Sequence, residues 1–529
     1  MKFIIRSIVI LLLLYGVVFA IINAALAHAG APLWVALLFA ILTVGLQYLI
    51  GPKIIEWVFT IFWDDGCSHL PAVNRAFLEK LCAERGLRMP RVGIIDGGTP
   101  NAFSFGHVPS NSRVVVTTGL LDVLTPEETN AVLAHEVGHI EHWDFVVMSV
   151  AALAPLLLYQ LYVFTERINQ TRVVAYTSYL AYWVSQFVVL ALNLTREYFA
   201  DHYASEVTHN PNLLSSALVK IAYGMVRADG EFLEKMQDKE QKTEAARGRR
   251  LVGALALMGI SNLRSGSALA LAQANPADAS AVMQWDLVNP WARFYQLNST
   301  HPLTALRVKE LNCDAERMGQ AAEYPLPKNA VARWGRFPLE FVLWAAPFVS
   351  GAIVALLIWE PSVLRFFHLQ LAPEAAPRLI MITGFAWIVR TWFRYHGDFE
   401  PAKIGSLIED VEVSNMRPRA VAMKGTILGR GLPGAFWSPD LVLRDDTGLI
   451  FVLYRQSIPF ARLLFALSAA EDYIGQEVAI QGWYRRAFMP YVEMSIICGD
   501  DGKTHRAYSR WVQYGLAIAL VIFAAVWYR

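Results

Sequence analysis

Seven apolar runs punctuate the chain, at Ile8–Leu26, Pro32–Ile50, Phe145–Phe164, Val173–Leu194, Leu339–Trp359, Arg378–Trp392 and Val512–Trp527. A helix crossing a bilayer needs about 20 such residues, so these are expected to be about seven transmembrane helices. The fourth run carries several tyrosines and a tryptophan, which suits an interfacial or protein-facing helix as well as a spanning one. Arg390, near one end of the sixth, can snorkel toward water. Lys2 and Arg6 precede the first run and Ala27-His28-Ala29 follows it, as in a signal-peptidase site. Because the second run follows almost at once, an uncleaved helical hairpin is expected, with Lys2 and Arg6 on the cytoplasmic side.

The polar stretches between the runs have periods of their own. Pro71 to Arg85 has helical spacing. Arg91 to Asp96, Asn101 to Ser104 and Ser112 to Thr118 read as strands of a small sheet with a Val114-Val115-Val116 core. An exposed edge there would accept an extended peptide by strand addition, or the hairpin only supports its neighbours. Thr125-Pro126-Glu127-Glu128 is a helix start: an N-cap threonine, proline in the first turn, and Glu128 closing a capping box. Leu133, Val137 and Ile140 give this helix a buried flank, with His135, His139 and His142 on another face and His142 a structural or exposed spare. Residues Pro211 to Gly224 read as an amphipathic helix, Val226 to Arg250 as a charged helix or loop, and Leu251 to Ala274 as an interrupted apolar helix. From Gly405 to Asp501 the pattern changes to period two, with a hairpin at Leu441 to Phe451 and strands at Val478 to Tyr484 and Tyr491 to Ile497, as in a small closed OB-like β-barrel.

These changes divide the chain into a transmembrane hairpin (1–62), a first catalytic part (63–144), helices three and four (145–194), a second catalytic part (195–336), helices five and six (337–395), the β domain (396–508) and a last helix (509–529). Composition agrees with a membrane location: of 529 residues 55% are hydrophobic and 17% charged, with a mean hydropathy of +0.36. The net charge of +1 carries no message about nucleic acid. Arg430, Arg444, Arg455, Arg485 and Arg486, near Trp437, Trp483 and Tyr484, would suit a nucleic-acid surface. Asp440, Asp445, Asp446 and Glu477 dilute that charge, which makes nucleic acid an unlikely partner and a protein contact the favoured role. The four cysteines, Cys67, Cys82, Cys313 and Cys498, are too far apart for a disulfide framework or thiolate metal site.

Chemistry concentrates at His135-Glu136-Val137-Gly138-His139, the H-E-x-x-H pattern that sets two imidazoles on one helix face for a zinc ion, Zn2+. Catalytic zinc keeps three protein ligands and an open position. Position 145 is Phe, so the third-histidine extension of the motif is missing; Glu197, some sixty residues on, is the expected third ligand. Glu136 is the expected general base. Asp201, one turn beyond Glu197, is expected to orient a ligand imidazole, the alternative being a surface ion pair with Arg196. His301 and Arg307 are candidates to stabilise the oxyanion, and His301 also to fill the open metal position.

The set His135–His139, Arg196-Glu197-Tyr198-Phe199-Ala200-Asp201, Asn101-Ala102-Phe103, Thr300-His301-Pro302 and Gly119-Leu120-Leu121 resembles the HtpX-type membrane metalloendopeptidases, relatives of the CAAX prenyl endopeptidases. The resemblance spans roughly Met1 to Asn312 and implies a gluzincin α+β catalytic domain within a mainly α membrane protein. It also implies one zinc held by His135, His139 and Glu197, with Asn101, Ala102 and Phe103 at the substrate. The implied activity is proteolysis of membrane-associated or misfolded proteins by a multi-pass protein of the bacterial inner membrane, on its cytoplasmic side. A CAAX-type prenyl-peptide enzyme, an intramembrane protease and a scaffold with a structural metal are the alternatives. The charges of Glu127, Glu128, Glu141 and Asp144 around the motif argue for the membrane surface rather than its interior, and Glu136 argues for catalysis, since a structural site needs no base.

Overall fold

A computed structural model describes residues 32–63, 70–97, 100–166, 172–221, 276–359, 375–430, 439–456, 459–487 and 490–528. The run Ile8–Leu26, the stretches Val226–Arg250 and Leu251–Ala274, and the side chains of Cys67 and Trp437 lie outside the described residues. The chain divides into two compact units, one of residues 1–230, 239–270 and 294–328, the other of residues 231–238, 271–293 and 329–529.

The first unit is built on a four-stranded sheet, β1 (Phe62–Trp63), β2 (Arg91–Ile95), β3 (Ala102–Gly106) and β4 (Ser112–Thr117), in the order β1-β2-β4-β3. The β2–β4 pair is parallel and the other two pairs are antiparallel. The pleat sends alternate side chains to opposite faces, and both faces are covered. Val92, Ile94, Ala102, Val114 and Val116 join the main core with Leu133 and Val137. Ile95, Phe103, Phe105 and Val115 pack instead on Phe59, Ile55 and Val58. Ile55 and Val58 belong to α1 (Leu33–Val58), so a helix apolar enough to cross a membrane runs on to become one wall of the sheet. Polar contacts fix it there: Glu56 Oε1 lies 2.5 Å from Arg113 Nε, and Tyr48 donates to the His107 carbonyl.

Helix α2 (Ala72–Glu84) packs against α3 (Pro126–Glu141). The start of α3 is held by both halves of the capping box, Glu128 N to Thr125 Oγ1 and Thr125 N to Glu128 Oε2. The expected amphipathic stripe is absent. Every residue from Ala131 to Ile140 is buried, because the face carrying the histidines is covered by other elements of the unit. Next come α4 (Asp144–Ala151), α5 (Leu153–Glu166), the 37-residue α6 (Arg172–Thr208) and α7 (Thr304–Arg317).

The second unit contains α8 (Phe337–Trp359), α9 (Ala375–Arg394) and α11 (Ser509–Tyr528), with a β-barrel between α9 and α11 in the chain that carries the 10-residue α10 (Pro459–Ser468). Helices α9 and α11 are antiparallel, with Arg378 Nη2 donating to Tyr528 Oη at 3.0 Å and Gln513 Nε2 to Tyr395 Oη at 3.3 Å. A Cβ on Gly384 would lie 2.5 Å from Val521 Cγ2, so glycine sets their close approach. The barrel strands are β6 (Arg419–Arg430), β7 (Leu441–Arg444), β8 (Leu449–Leu453), β9 (Glu477–Arg486) and β10 (Pro490–Gly499); β5 (Glu400–Pro401) and β11 (Thr504–Arg506) flank them. Pairing runs β6-β7-β8-β10-β9 and back to β6, closing five strands, with β8–β10 parallel and the rest antiparallel.

Among the described residues, five stretches are long and apolar enough to cross a membrane, at 34–58, 144–166, 174–208, 334–358 and 509–528. Two of the seven expected runs are not among them. The first expected run lies outside the described residues, and Arg378–Trp392 falls in α9, where Arg378, Arg390 and Arg394 lower the hydropathy. Arg390 rests over the Phe348 ring of α8 at 5.0 Å. Three of the five arginines weighed as a nucleic-acid surface, Arg430, Arg485 and Arg486, are buried, while Arg444 and Arg455 are exposed. Arg485 and Arg486 are 0% and 1% exposed; Arg485 donates to Glu493 and the Arg394 carbonyl, and Arg486 to the Ile408 and Val282 carbonyls.

Candidate metal centre

Two helices build the site. On α3 the four-residue spacing turns both imidazoles the same way, and the Nε2 atoms of His135 and His139 are 3.1 Å apart. On α6, Glu197 brings Oε2 to 3.8 Å from His135 Nε2 and Oε1 to 3.6 Å from His139 Nε2. The helices come this close because small residues face each other. A Cβ on Gly138 would stand 3.3 Å from Ala200 Cα and 3.1 Å from Tyr203 Cδ1.

The outer nitrogens of both rings face carboxylates. Asp201 Oδ1 lies 3.0 Å from His135 Nδ1, and Asp144 Oδ2 lies 2.6 Å from His139 Nδ1. Asp144 reaches that place through a left-handed residue, Trp143 at φ 60°, which ends α3 and folds α4 back across it. A bulky residue adopts that conformation at a cost, held by surrounding structure. Arg196 Nε, 2.9 Å from Asp144 Oδ1, braces the carboxylate from α6. Asp201 has a firmer partner: Arg307 of α7 donates Nε to Oδ2 at 2.8 Å and Nη2 to Oδ1 at 2.5 Å.

Of the expected site residues, the structure gathers His135, His139, Glu197, Asp201, His301 and Arg307 at one point. His301 Nδ1 is 3.1 Å from Glu197 Oε2. Arg307 does not take the position of an oxyanion donor. It is 1% exposed and its fork is taken up by Asp201, with Nη1 3.6 Å from Glu197 Oε2. Asn101, Ala102 and Phe103 enter edge strand β3 with buried side chains, so any substrate contact there is through the backbone. His142 is exposed and edges against Phe199 and Tyr203. Sequence reasoning missed Asp144, Arg196 and Gly138. The available signals were an aspartate five residues past His139 and a glycine inside the motif.

The electrostatics follow from burial. Desolvation opposes a charge on His139, but the Asp144 hydrogen bond and the Glu197, Glu136 and Asp144 carboxylates outweigh it and hold the imidazole above its ordinary value. Burial likewise opposes the Arg307 charge, and Asp201 and Glu197 more than restore it. Such a buried cluster of two imidazoles and a carboxylate fits a divalent metal. One atom each from His135, His139 and Glu197 lies within 4.8 Å of the others. Tetrahedral zinc at about 2.1 Å from each ligand separates ligand atoms by roughly 3.4 Å. The observed separations between the three ligand groups, 3.1 to 3.8 Å, bracket that value.

Residues 72–314 match the family model of peptidase family M48. A "Protease HtpX homolog" of Methanothermobacter thermautotrophicus is 37% identical over 214 residues, 40% of this chain and 81% of that protein. A "Protease HtpX homolog 2" of Methanosarcina acetivorans is 31% identical, covering 42% of this chain and 79% of that protein. A homolog from Moorella thermoacetica is 32% identical over 39% of this chain and 72% of its own length. The crystal structure of S. mikatae Ste24p aligns over 58% of this chain and 65% of that chain at 16% identity with a TM-score of 0.35, too loose a superposition to define the fold.

Proposed function

The chain belongs to peptidase family M48, among the HtpX-like proteases, and is a metalloprotease whose substrate is a protein or peptide; on that premise we propose a zinc-dependent endopeptidase that cleaves membrane-associated or misfolded proteins at the cytoplasmic membrane surface. The observation that carries this reading is the convergence of His135, His139 and Glu197 beside a buried Glu136. Bound there, zinc supplies a Lewis acid for the scissile carbonyl and an acidified water. Glu136 takes the proton of the attacking water and passes it to the leaving amine. Asp144 and Asp201 fix the ring orientations of His139 and His135, and Arg307 keeps Asp201 charged and in place. His301 is the donor proposed for the oxyanion: its Nδ1 faces Glu197, which leaves Nε2 as the ring nitrogen for the substrate, whereas the Arg307 fork is held by Asp201.

Strand β3 supports a mode of substrate binding. It pairs with β4 on one side, and its other edge carries no strand among the described residues. An extended peptide adding there would bond to the backbone at Asn101, Ala102 and Phe103. The anchoring of α1 on the same sheet favours a catalytic domain held at a membrane surface, with a bacterial inner membrane as the proposed location. In the second unit, a closed order of β6-β7-β8-β10-β9 with a parallel β8–β10 pair and a helix between β8 and β9 favours the OB-like reading.

The test is Glu136→Gln in the full-length protein. Zinc content is expected to stay at one per chain while peptide cleavage vanishes; full activity would sink the mechanism. Offering the wild type prenylated and unprenylated forms of one peptide separates general proteolysis from a CAAX-type activity, which would require the prenyl group.

A further inference from the structure

Where the barrel of the second unit meets α9 and α11 there is a polar cleft of about 350 Å3, lined by Arg394, Asp440, Arg455, Arg462, Glu493 and Ser509 among others. Its two carboxylates are already engaged. Glu493 takes Arg485 Nε at 3.0 Å, Arg394 Nη2 at 3.7 Å and the Tyr395 hydroxyl, while Asp440 Oδ1 accepts from the Tyr454 amide at 3.1 Å. Arg455 and Arg462 are exposed; both lie in the field of Asp440, and Arg455 also in that of Glu493, without a contact ion pair among the described residues, and Arg455 overlies the Tyr491 ring at 5.1 Å. The cleft therefore presents more guanidinium than carboxylate charge, in a geometry suited to phosphate oxygens.

Its level relative to a membrane follows from the chain. Ser509 is both a lining residue and the first residue of α11, one of the membrane-length helices. Exposed aromatic residues gather at this end of the helices: Trp392 near the end of α9, and Tyr508 and Trp511 at the start of α11. Amphipathic rings of this kind settle at the headgroup layer. Helix α10 lies at the same level, since Gln456, just before it, accepts from the Tyr508 amide at 3.2 Å. On α10, Phe460, Leu463, Leu464 and Leu467 are all exposed at the i, i+3, i+4, i+7 spacing of one helical face. Phe465 and Ala466 are buried. A short helix with a solvent-facing apolar stripe beside a basic cleft has the make-up of an interfacial helix.

We propose that this cleft binds the headgroup phosphate of an anionic phospholipid, with the apolar stripe of α10 lying against the acyl chains. The inference rests on α11 crossing the bilayer and assigns the barrel a lipid-contacting role separate from the metal centre. The bilayer is the occupant that satisfies both halves of the surface: the arginines match the phosphate, and the exposed stripe of α10 matches the acyl chains.

Two experiments on the full-length protein test it. In detergent, a thermal-shift titration with short-chain phosphatidylglycerol is expected to stabilise the wild type saturably, whereas phosphatidylcholine and inorganic phosphate do not. Arg455→Gln with Arg462→Gln is expected to weaken that response about tenfold or more, and the paired lysine variant to retain most of it. Equal responses to phosphatidylcholine, reproduction of the shift by inorganic phosphate, or a glutamine variant as responsive as wild type would each overturn the proposal. In nanodiscs, phosphatidylglycerol with a photoreactive acyl chain is expected to label both α11 and residues 460–467. Label on α11 without label on α10 refutes the lipid contact, while no label on α11 refutes the membrane reading beneath it.

Discussion

Gly138→Ala is the smallest change that tests how the metal centre is assembled. The added methyl would lie 3.1 Å from Tyr203 Cδ1 and 3.3 Å from Ala200 Cα, a few tenths of an ångström inside ordinary contact. Ala200 Cα is backbone of the 37-residue α6, so relief comes from moving α6 away from α3 rather than from a rotamer change. In an isolated helix the substitution would gain about 1 kcal/mol of propensity. Overpacking a core typically costs 1–3 kcal/mol, so the metal-free protein should change in stability by roughly 0 to 2 kcal/mol in the unfavourable direction. The larger effect falls on the metal. Glu197 is one turn before Ala200 on the same rigid helix, and metal–ligand distances tolerate only about 0.2 Å. Zinc affinity should fall about 10- to 100-fold, the range seen when ligand orientation is disturbed. Chelator competition on the purified protein measures this directly. Unchanged affinity together with raised thermal stability would show that Gly138 is a helical position like any other and that the α3–α6 contact does not position Glu197.

Further outcomes follow from the same contacts. Asp144→Asn keeps the shape but weakens the acceptor at His139 Nδ1, and zinc affinity should drop about tenfold by chelator competition; an unaltered value would remove Asp144 from the site. Arg307→Ala leaves Asp201 buried without its bidentate partner and should cost about 3–5 kcal/mol in thermal or denaturant unfolding, whereas a loss under 1 kcal/mol would contradict the buried pairing. Glu493 is held at about 2, from an ordinary 4.5: burial opposes the carboxylate, but Arg485 and Arg394 prevail. A depressed carboxyl contributes stability that is complete above its unfolded value and is lost as pH falls through its folded one, here about 3 kcal/mol between roughly pH 5 and pH 2. Glu493→Gln should flatten that part of the wild-type stability profile, and an unchanged acid limb would place the titration elsewhere.

How much of this was readable beforehand depended on whether a feature is local. The capping box at Thr125 and Glu128 and the spacing of His135 and His139 are properties of consecutive residues, and the structure reproduces them in place. Glu197 and Asp201 share a face because they are one turn apart, which is also local; that the face meets α3 is not. The place of Asp144 depends on a left-handed backbone at Trp143 that no side-chain pattern announces. Charges misled where burial decides. Glu128 and Asp144, counted as marks of a water-facing surface, are buried against Lys220 and Ser216 in one case and His139 and Arg196 in the other. Arg485 and Arg486 looked like a binding surface and are internal braces, because only the folded barrel reveals which strand face is inside. The period-two pattern from Gly405 onward foretold strands, but closure into a ring required the β6–β9 and β8–β10 pairings, which join residues far apart in sequence.

The metal centre lies at the start of one membrane-length stretch and in the polar last third of another, 174–208. Asp144, which holds His139, is the first residue of one of them. Glu197 follows Leu194, the end of another apolar run, by three residues, about 5 Å of helix rise. On the proposed membrane reading, the height of the cleavage point above the apolar layer would be set from two sides by helix, and the enzyme would work as a fixed ruler. A strand advances about 3.3 Å per residue, so a peptide bond need clear the hydrocarbon by only two or three residues to be in reach. Scissile bonds in membrane-anchored substrates should therefore sit at a nearly constant distance from the anchor whatever their local sequence, and adding residues between anchor and bond should move the cut rather than abolish it.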